Sequence, residues 1–293
     1  MNVNRKPFLT PGETLEFHKD VLVVDTKMPA NHGLFYNDNM REAMKNWVED
    51  GRLSRSEIQA NLYEMTVKEL KASEKSRKEY LGIWEEAGVN VASVTYAGPH
   101  SPDGAFETAT RSLMQGRGTI DALGDDLRLV LNADDLERVY KDNVKGVIFD
   151  FQDTTSIGGD LNRLDMFHNM GLRIVQLTYN LRNLVGDGCT ERYKTGLTYF
   201  GIEVVERLNE LNMVVDVSHC SQQVGWDAIK FSKSPIMVTH STSNAVCYHD
   251  RGKDDDLAKA VADNGGFFGV AAIAGFVKND INATLDDLSL IHI

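Results

Sequence analysis

Short runs of apolar β-formers alternate with stretches in which apolar residues recur at helical spacing, and this alternation continues from one end of the chain to the other. The apolar runs are Val21–Asp25, Asn90–Tyr96, Gly146–Phe151, Arg173–Tyr179, Met213–Ser218, Pro235–His240 and Gly266–Ala272, seven in all. Most are apolar nearly throughout, as expected of strands covered on both faces in a parallel sheet. Between them the amphipathic pattern predicts helices over Ser54–Ala87, Asp134–Asp142, Asp160–Met170, Thr198–Asn212, Ser221–Phe231 and Asp254–Asn264. Their charged faces read as ordinary solvated surface. "NMGLR" and "AGVN" each place a glycine where a helix stops and a strand begins. Repeated βα units of this kind predict an α/β fold, a TIM-type (β/α)8 barrel built as a single domain over residues 1–293.

Seven runs leave that barrel one strand short, and the sequence stops at "DDLSLIHI" where another helix begins. Because two open sheet edges are costly to expose, the expectation is a barrel lacking its last βα unit through C-terminal truncation of the chain. A strand supplied by a partner chain is the other reading, which keeps a homo-oligomer open. The segment "YAGPHSPDGAFETATRS" leaves the second run as a Gly/Pro-bearing excursion, and loops at that end of a barrel commonly carry function.

Composition narrows the function classes. With 293 residues, 42 % of them hydrophobic, the chain can bury a large core. A formal charge of −12 argues against a nucleic-acid partner, since a phosphate backbone is held by clustered Lys and Arg. No window approaches the roughly 18 uninterrupted apolar residues of a membrane span, and the first residues lack the apolar segment of a secretion signal. The expected location is cytoplasmic. Cys189, Cys220 and Cys247 are scattered and are expected to be reduced thiols.

The chemistry gathers at strand ends. "VVDVSHCS" and "PIMVTHSTS" carry His219 just after the fifth run and His240 at the close of the sixth. The C-terminal ends of parallel barrel strands point into one pocket, so two imidazoles on neighbouring strands suit a zinc-type ion. The alternative is that each histidine bonds to backbone within the core. Asp25 ends the first run, Asp150 and Gln152 the third, and Tyr179 and Asn180 the fourth. Buried polar groups there need partners, so they serve a metal and substrate or bond to one another. Asp216 falls on the face of its strand opposite His219 and is expected to be structural or to support a metal ligand from behind. Arg251, in "NAVCYHDRGKDDD", is placed either to clamp a substrate carboxylate in bidentate fashion or to pair with Asp254 or Asp255.

"VVDVSHCS", "PIMVTHSTSNAVCYHDRGKDDD" and "RIVQLTYNLRNLVGDGC" resemble the membrane (renal) dipeptidase family of zinc metallopeptidases, whose barrel is related to the amidohydrolases. The similarity runs from about Gly146 to Phe276, with a weaker echo at "VVDT". It implies a binuclear zinc site that cleaves dipeptides with a metal-bridging hydroxide. His219 and His240 would hold the second metal and Arg251 the substrate carboxylate. Tyr179 and Asn180 would line the substrate site, and Gln152 and Asp25 would stand at the catalytic positions. The chain departs from the family pattern at several points. Lys27 and Pro29 replace a histidine and an aspartate of the D-x-H-x-D motif, Gln152 replaces the bridging glutamate, and Tyr179 replaces a substrate-binding histidine. The acidic residue of the eighth strand is absent because the sequence ends first. His32, Asp38, Asp150 and Asp153 offer substitute ligands, or Lys27 fills the first metal's position with its own charge and leaves one ion. The expectation is a metal-dependent hydrolase of a dipeptide or other small amide, with one zinc or a rearranged pair. The alternative is a catalytically degenerate barrel that binds a small polar ligand without turnover.

Overall fold

The computed structural model describes residues 10–28, 35–98, 102–278 and 280–289. Eight strands run parallel: β1 (Val24–Asp25), β2 (Val91–Ala97), β3 (Leu127–Leu129), β4 (Lys145–Phe151), β5 (Leu172–Gln176), β6 (Val214–Asp216), β7 (Met237–Ser241) and β8 (Phe267–Val270). The hydrogen-bonded order is β1-β2-β4-β5-β6-β7-β8. Strand β3 lies along Lys145–Val147 of β4, and β5 takes over from Phe149. Each of the seven predicted runs therefore contains a strand. The count is corrected to eight by β3, whose three residues "LRL" include a charged Arg128 and give no readable period.

The helices, in chain order, begin with α1 (Pro11–Lys19), α2 (Asp38–Asp50), α3 (Arg55–Ala72), α4 (Glu74–Ala87), α5 (Ala105–Leu123) and α6 (Ala133–Lys141). They continue with α7 (Asn162–Asn169), α8 (Tyr199–Glu210), α9 (Gln222–Phe231), α10 (Asp255–Asp263), α11 (Ala274–Val277) and α12 (Leu285–Ser289). The predicted helix 54–87 is two helices. Ser73, in extended conformation at φ −133° and ψ 117°, ends α3 and caps α4 by accepting from Ser76 N. A serine hydroxyl that satisfies an orphan amide makes such a break inexpensive.

The sheet is curled. Thr26, just after β1, donates from Oγ1 to the carbonyl of Thr239 on β7 at 2.8 Å, bringing the first strand of the order against the next to last. Among the described residues no ladder joins β8 to β1. The result is an α/β barrel architecture in which β2 and β4 are buried at nearly every position. Outside, helices press apolar stripes on to the strands, as Val204, Val205 and Leu208 of α8 do. Each such side chain contributes about 1.5–3 kcal/mol of burial. One contiguous apolar cluster runs from Met28 to Val261. No helix among the described residues is long and apolar enough to cross a membrane.

Candidate active site

β6 and β7 are neighbours, as the sequence order suggested, but their ladder is short: its only register pair is Asp216 with Met237. Beyond that point side chains take over the ladder's role. Asp216 accepts from Thr239 N at 3.1 Å and from Thr239 Oγ1 at 2.6 Å, and also from the amide and hydroxyl of Ser218. Ser218 Oγ in turn accepts from His240 N at 3.1 Å. Asp216 therefore ties the two strand ends together and, through Thr239, stands behind His240.

His219 and His240 emerge from this knot with their Nε2 atoms 2.9 Å apart and only 7 % and 8 % exposed. The hydrogen-bond network assigns their tautomers. Thr239 gives its hydroxyl proton to Asp216, so its Oγ1 accepts from His240 Nδ1 at 2.8 Å. Asn180 Oδ1 lies 2.7 Å from His219 Nδ1 and accepts from it. Both Nε2 atoms consequently present lone pairs to each other. Lone pairs at that distance repel unless a positive charge joins them. Burial is the main force holding both imidazoles far below the ordinary histidine range, and the neighbouring cations Arg251, Lys253 and Lys27 act in the same direction. Both rings are neutral, the form that binds a metal.

The supports of the pair are built for close approach. Asn180 adopts a positive φ of 60°, which asparagine tolerates better than most residues. Gly188 packs so near it that a Cβ would lie 2.0 Å from the Asn180 carbonyl. The Tyr179 ring stacks on His219 at 4.0 Å between centroids and 20° between planes. Gln152 Nε2 stands 3.3 Å from His240 Nε2. Thus Gln152, Tyr179, Asn180, His219 and His240, picked out separately in the sequence, meet in one place.

Arg251 is only 4 % exposed and holds backbone: Nη1 donates to the carbonyl of Ser218, and Nη2 donates to that of His240 at 2.9 Å. It forms no ion pair with Asp254 or Asp255 among the described residues. Asp25 Oδ1 accepts from the backbone of Lys27 at 2.8 Å and so braces the turn after β1. Lys27 reaches Asp150, with Nζ to Oδ1 at 2.6 Å, and Thr95 at 3.0 Å. Asp150 is completely buried and also accepts from Ser93 and Thr95. Asp153 accepts from Thr155, Tyr179 N and Asn183, while Asp38 is exposed at the start of α2. Pro29 and His32 lie outside the described residues.

These donors test the metal expectation directly. Two neutral imidazoles with anchored Nδ1 atoms supply two of the three protein ligands that a catalytic zinc ordinarily takes, and a tetrahedral zinc at about 2.0–2.1 Å from each would need the nitrogens about 3.3 Å apart where they now stand at 2.9 Å. Among the described residues no third His, Cys, Asp or Glu joins them. At the first-metal position the groups present are an ammonium already paired with its carboxylate and a neutral amide. That set does not fit a carboxylate-bridged binuclear centre.

Comparison with known proteins agrees with this architecture. The family profile described as "Membrane dipeptidase (Peptidase family M19)" matches residues 35–293. An uncharacterized protein from the pqqA 5′ region of Klebsiella pneumoniae is 31 % identical over 160 residues, which is 53 % of this chain and 59 % of that protein. An uncharacterized dipeptidase of Schizosaccharomyces pombe is 29 % identical over 181 residues, 58 % of this chain and 43 % of its own length. The chain thus spans about half the length of the curated relatives it matches. A crystal structure of an amidohydrolase from Pseudomonas aeruginosa superposes with a TM-score of 0.72 at 26 % identity, covering 97 % of this chain and 71 % of the other.

Proposed function

The chain belongs to the membrane dipeptidase family, and from that premise we propose that it hydrolyses dipeptides or similar small amides at the His219–His240 pair, using one metal ion rather than two. The observation that carries this reading is the convergence of two Nε2 lone pairs at 2.9 Å, each ring fixed from behind through Nδ1. His219 and His240 would hold a zinc ion through their Nε2 atoms, and it would supply Lewis-acid polarisation of a carbonyl and acidify a water.

The remaining work falls to the chain's own residues. Asn180 and Thr239 fix the ring orientations, and Tyr179 walls one side by stacking on His219. Gln152 points its amide at His240 and is placed to donate to the oxygen of a bound amide. Arg251 ties the backbone beside both histidines, and Asp25 positions the turn carrying Lys27. Both are positioning residues in this scheme.

The Lys27–Asp150 pair and the neutral Gln152 favour a second reading, binding of a dipeptide-like ligand without turnover. Metal analysis and a dipeptide hydrolysis panel on the purified chain separate the two. Hydrolysis predicts about one zinc per chain, lost together with activity in His219→Ala and His240→Ala. Calorimetric binding with no product release, and no dependence on zinc, would instead establish the second reading.

A further inference from the structure

The histidine pair stands at the C-terminal ends of the strands, and the opposite end of the same barrel encloses a cavity of about 310 Å³. Its wall is formed by Ile148 of β4, Ile174 of β5, Val214 of β6 and Met237 of β7. Each stands two residues before a buried polar group of the layer above: Asp150, Gln176, Asp216 and Thr239. A spacing of two along a strand keeps one face, so these four side chains form the next layer down inside the barrel. Their outward neighbours Phe149, Val175, Val215 and Val238 are buried beneath the helices. Val130, which follows β3, and Leu136 of α6 close the floor, where they pack with Val91 and Val139 in a separate apolar cluster.

This cavity is interior space rather than a surface groove. Its wall and floor are buried or half-buried, and the exposed Val24 and Leu131 mark its rim. On the remaining side β8 comes close to the end of β1, where a Cβ on Gly269 would lie 3.0 Å from Thr26 Oγ1. The interior of a parallel barrel is ordinarily filled by branched side chains, layer upon layer. Here the layer is branched, yet the residues do not meet across the axis. The polar groups that border the cavity are already spent on the protein. Ser93 donates to Asp150, Thr26 to the carbonyl of Thr239, and Arg173 through Nε and Nη1 to the carbonyls of Leu131 and His168. An occupant would therefore be held by burial of apolar surface, not by ion pairing. Apolar protein cavities of about 150 Å³ accept benzene, so one of roughly twice that volume has room for a two-ring body.

We propose that the barrel interior beneath the Asp150–Asp216 layer is a binding site for an uncharged, largely apolar small molecule, about the size of a fused two-ring aromatic. It is a second site. The hydrogen-bonded layer of Ser93, Asp150, Asp216 and Thr239 lies between it and the histidine pair, so its occupancy does not depend on hydrolysis or on a metal.

The test is calorimetric titration of the full chain with indole, a neutral two-ring probe, supported by thermal unfolding at increasing indole concentration. Wild type should bind the probe saturably, and its melting temperature should rise as the site fills. Val214→Phe places a ring in the cavity itself and should weaken binding by about tenfold or more, because the probe loses the surface it would bury. Val24→Trp narrows the exposed rim without altering the interior and should weaken binding in the same direction. Absence of saturable binding by wild type would overturn the site. So would an affinity unchanged in Val214→Phe, which would put the probe elsewhere, as in the cavity lined by Gln152 and Tyr179. If Val214→Phe does not fold, Val24→Trp decides by the same criterion.

Discussion

Replacing Lys27 by methionine isolates the energetics of the pair that stands where a first metal was expected. Nζ lies 2.6 Å from Asp150 Oδ1, with the lysine side chain 16 % exposed and the aspartate not exposed at all. Lys27→Met leaves that carboxylate buried with the hydroxyls of Ser93 and Thr95 as its remaining partners. Removing one member of a buried pair typically costs about 3–5 kcal/mol, because the other charge is stranded. Against a total stability of about 5–15 kcal/mol that is a large fraction. With a urea dependence near 3 kcal/mol per molar, the unfolding midpoint should fall by about 1 M or more. The double variant Lys27→Met/Asp150→Asn removes both charges and keeps a carbonyl acceptor for the hydroxyls. It should recover most of the loss, giving a strongly favourable coupling energy in the cycle. A single-variant loss under about 1 kcal/mol, or additive single effects, would mean that Lys27 and Asp150 do not depend on each other.

Three further expectations follow from the same geometry. Thr239→Val removes the acceptor behind His240 Nδ1 and should weaken zinc binding by about 10–100-fold, with Thr239→Ser restoring it; competition with a chromogenic chelator measures this. In Gly188→Ala the new Cβ would collide with the backbone of Asn180, so thermal unfolding should show a loss of about 1–3 kcal/mol, and an unchanged melting curve would contradict the close packing. Lys253 is buried with Nζ on the carbonyl of Cys220, and burial pulls its pKa from 10.5 down to about 8. Between those values the unfolded chain binds the extra proton, so stability rises with pH. Wild type should therefore gain about 3 kcal/mol relative to Lys253→Met from about pH 8 to pH 10.5, and a pH-independent difference would refute the assignment.

Much of the architecture was legible because buried parallel strands announce themselves as apolar runs, and the adjacency of β6 and β7 followed from sequential βα order. The pairing of His219 with His240 was legible for the same reason: both sit at strand ends. Helix α5 was not. Its packed side dilutes Leu113 and Leu123 with Ala105, Ala109, Gly116 and Thr119, so the usual contrast between faces is weak. The break at Ser73 was hidden because amphipathic spacing continues across it. The partners of Arg251 and Lys27 could not be read either. Arg251 bonds carbonyls 33 and 11 residues away, and Lys27 meets a carboxylate 123 residues away, contacts that leave no local pattern.

The brevity of the β6–β7 ladder has a consequence for how this pocket can change. The gap between the two rings is a property of a handful of polar side chains and one guanidinium spacer, all added where main-chain pairing has already stopped. Substitutions at Ser218, Thr239 or Arg251 can widen or narrow that gap while the staves beneath keep their register. The barrel is therefore a fixed mount with an adjustable jaw, and descendants of this sequence could retune their chemistry through those three positions without having to relearn how to fold.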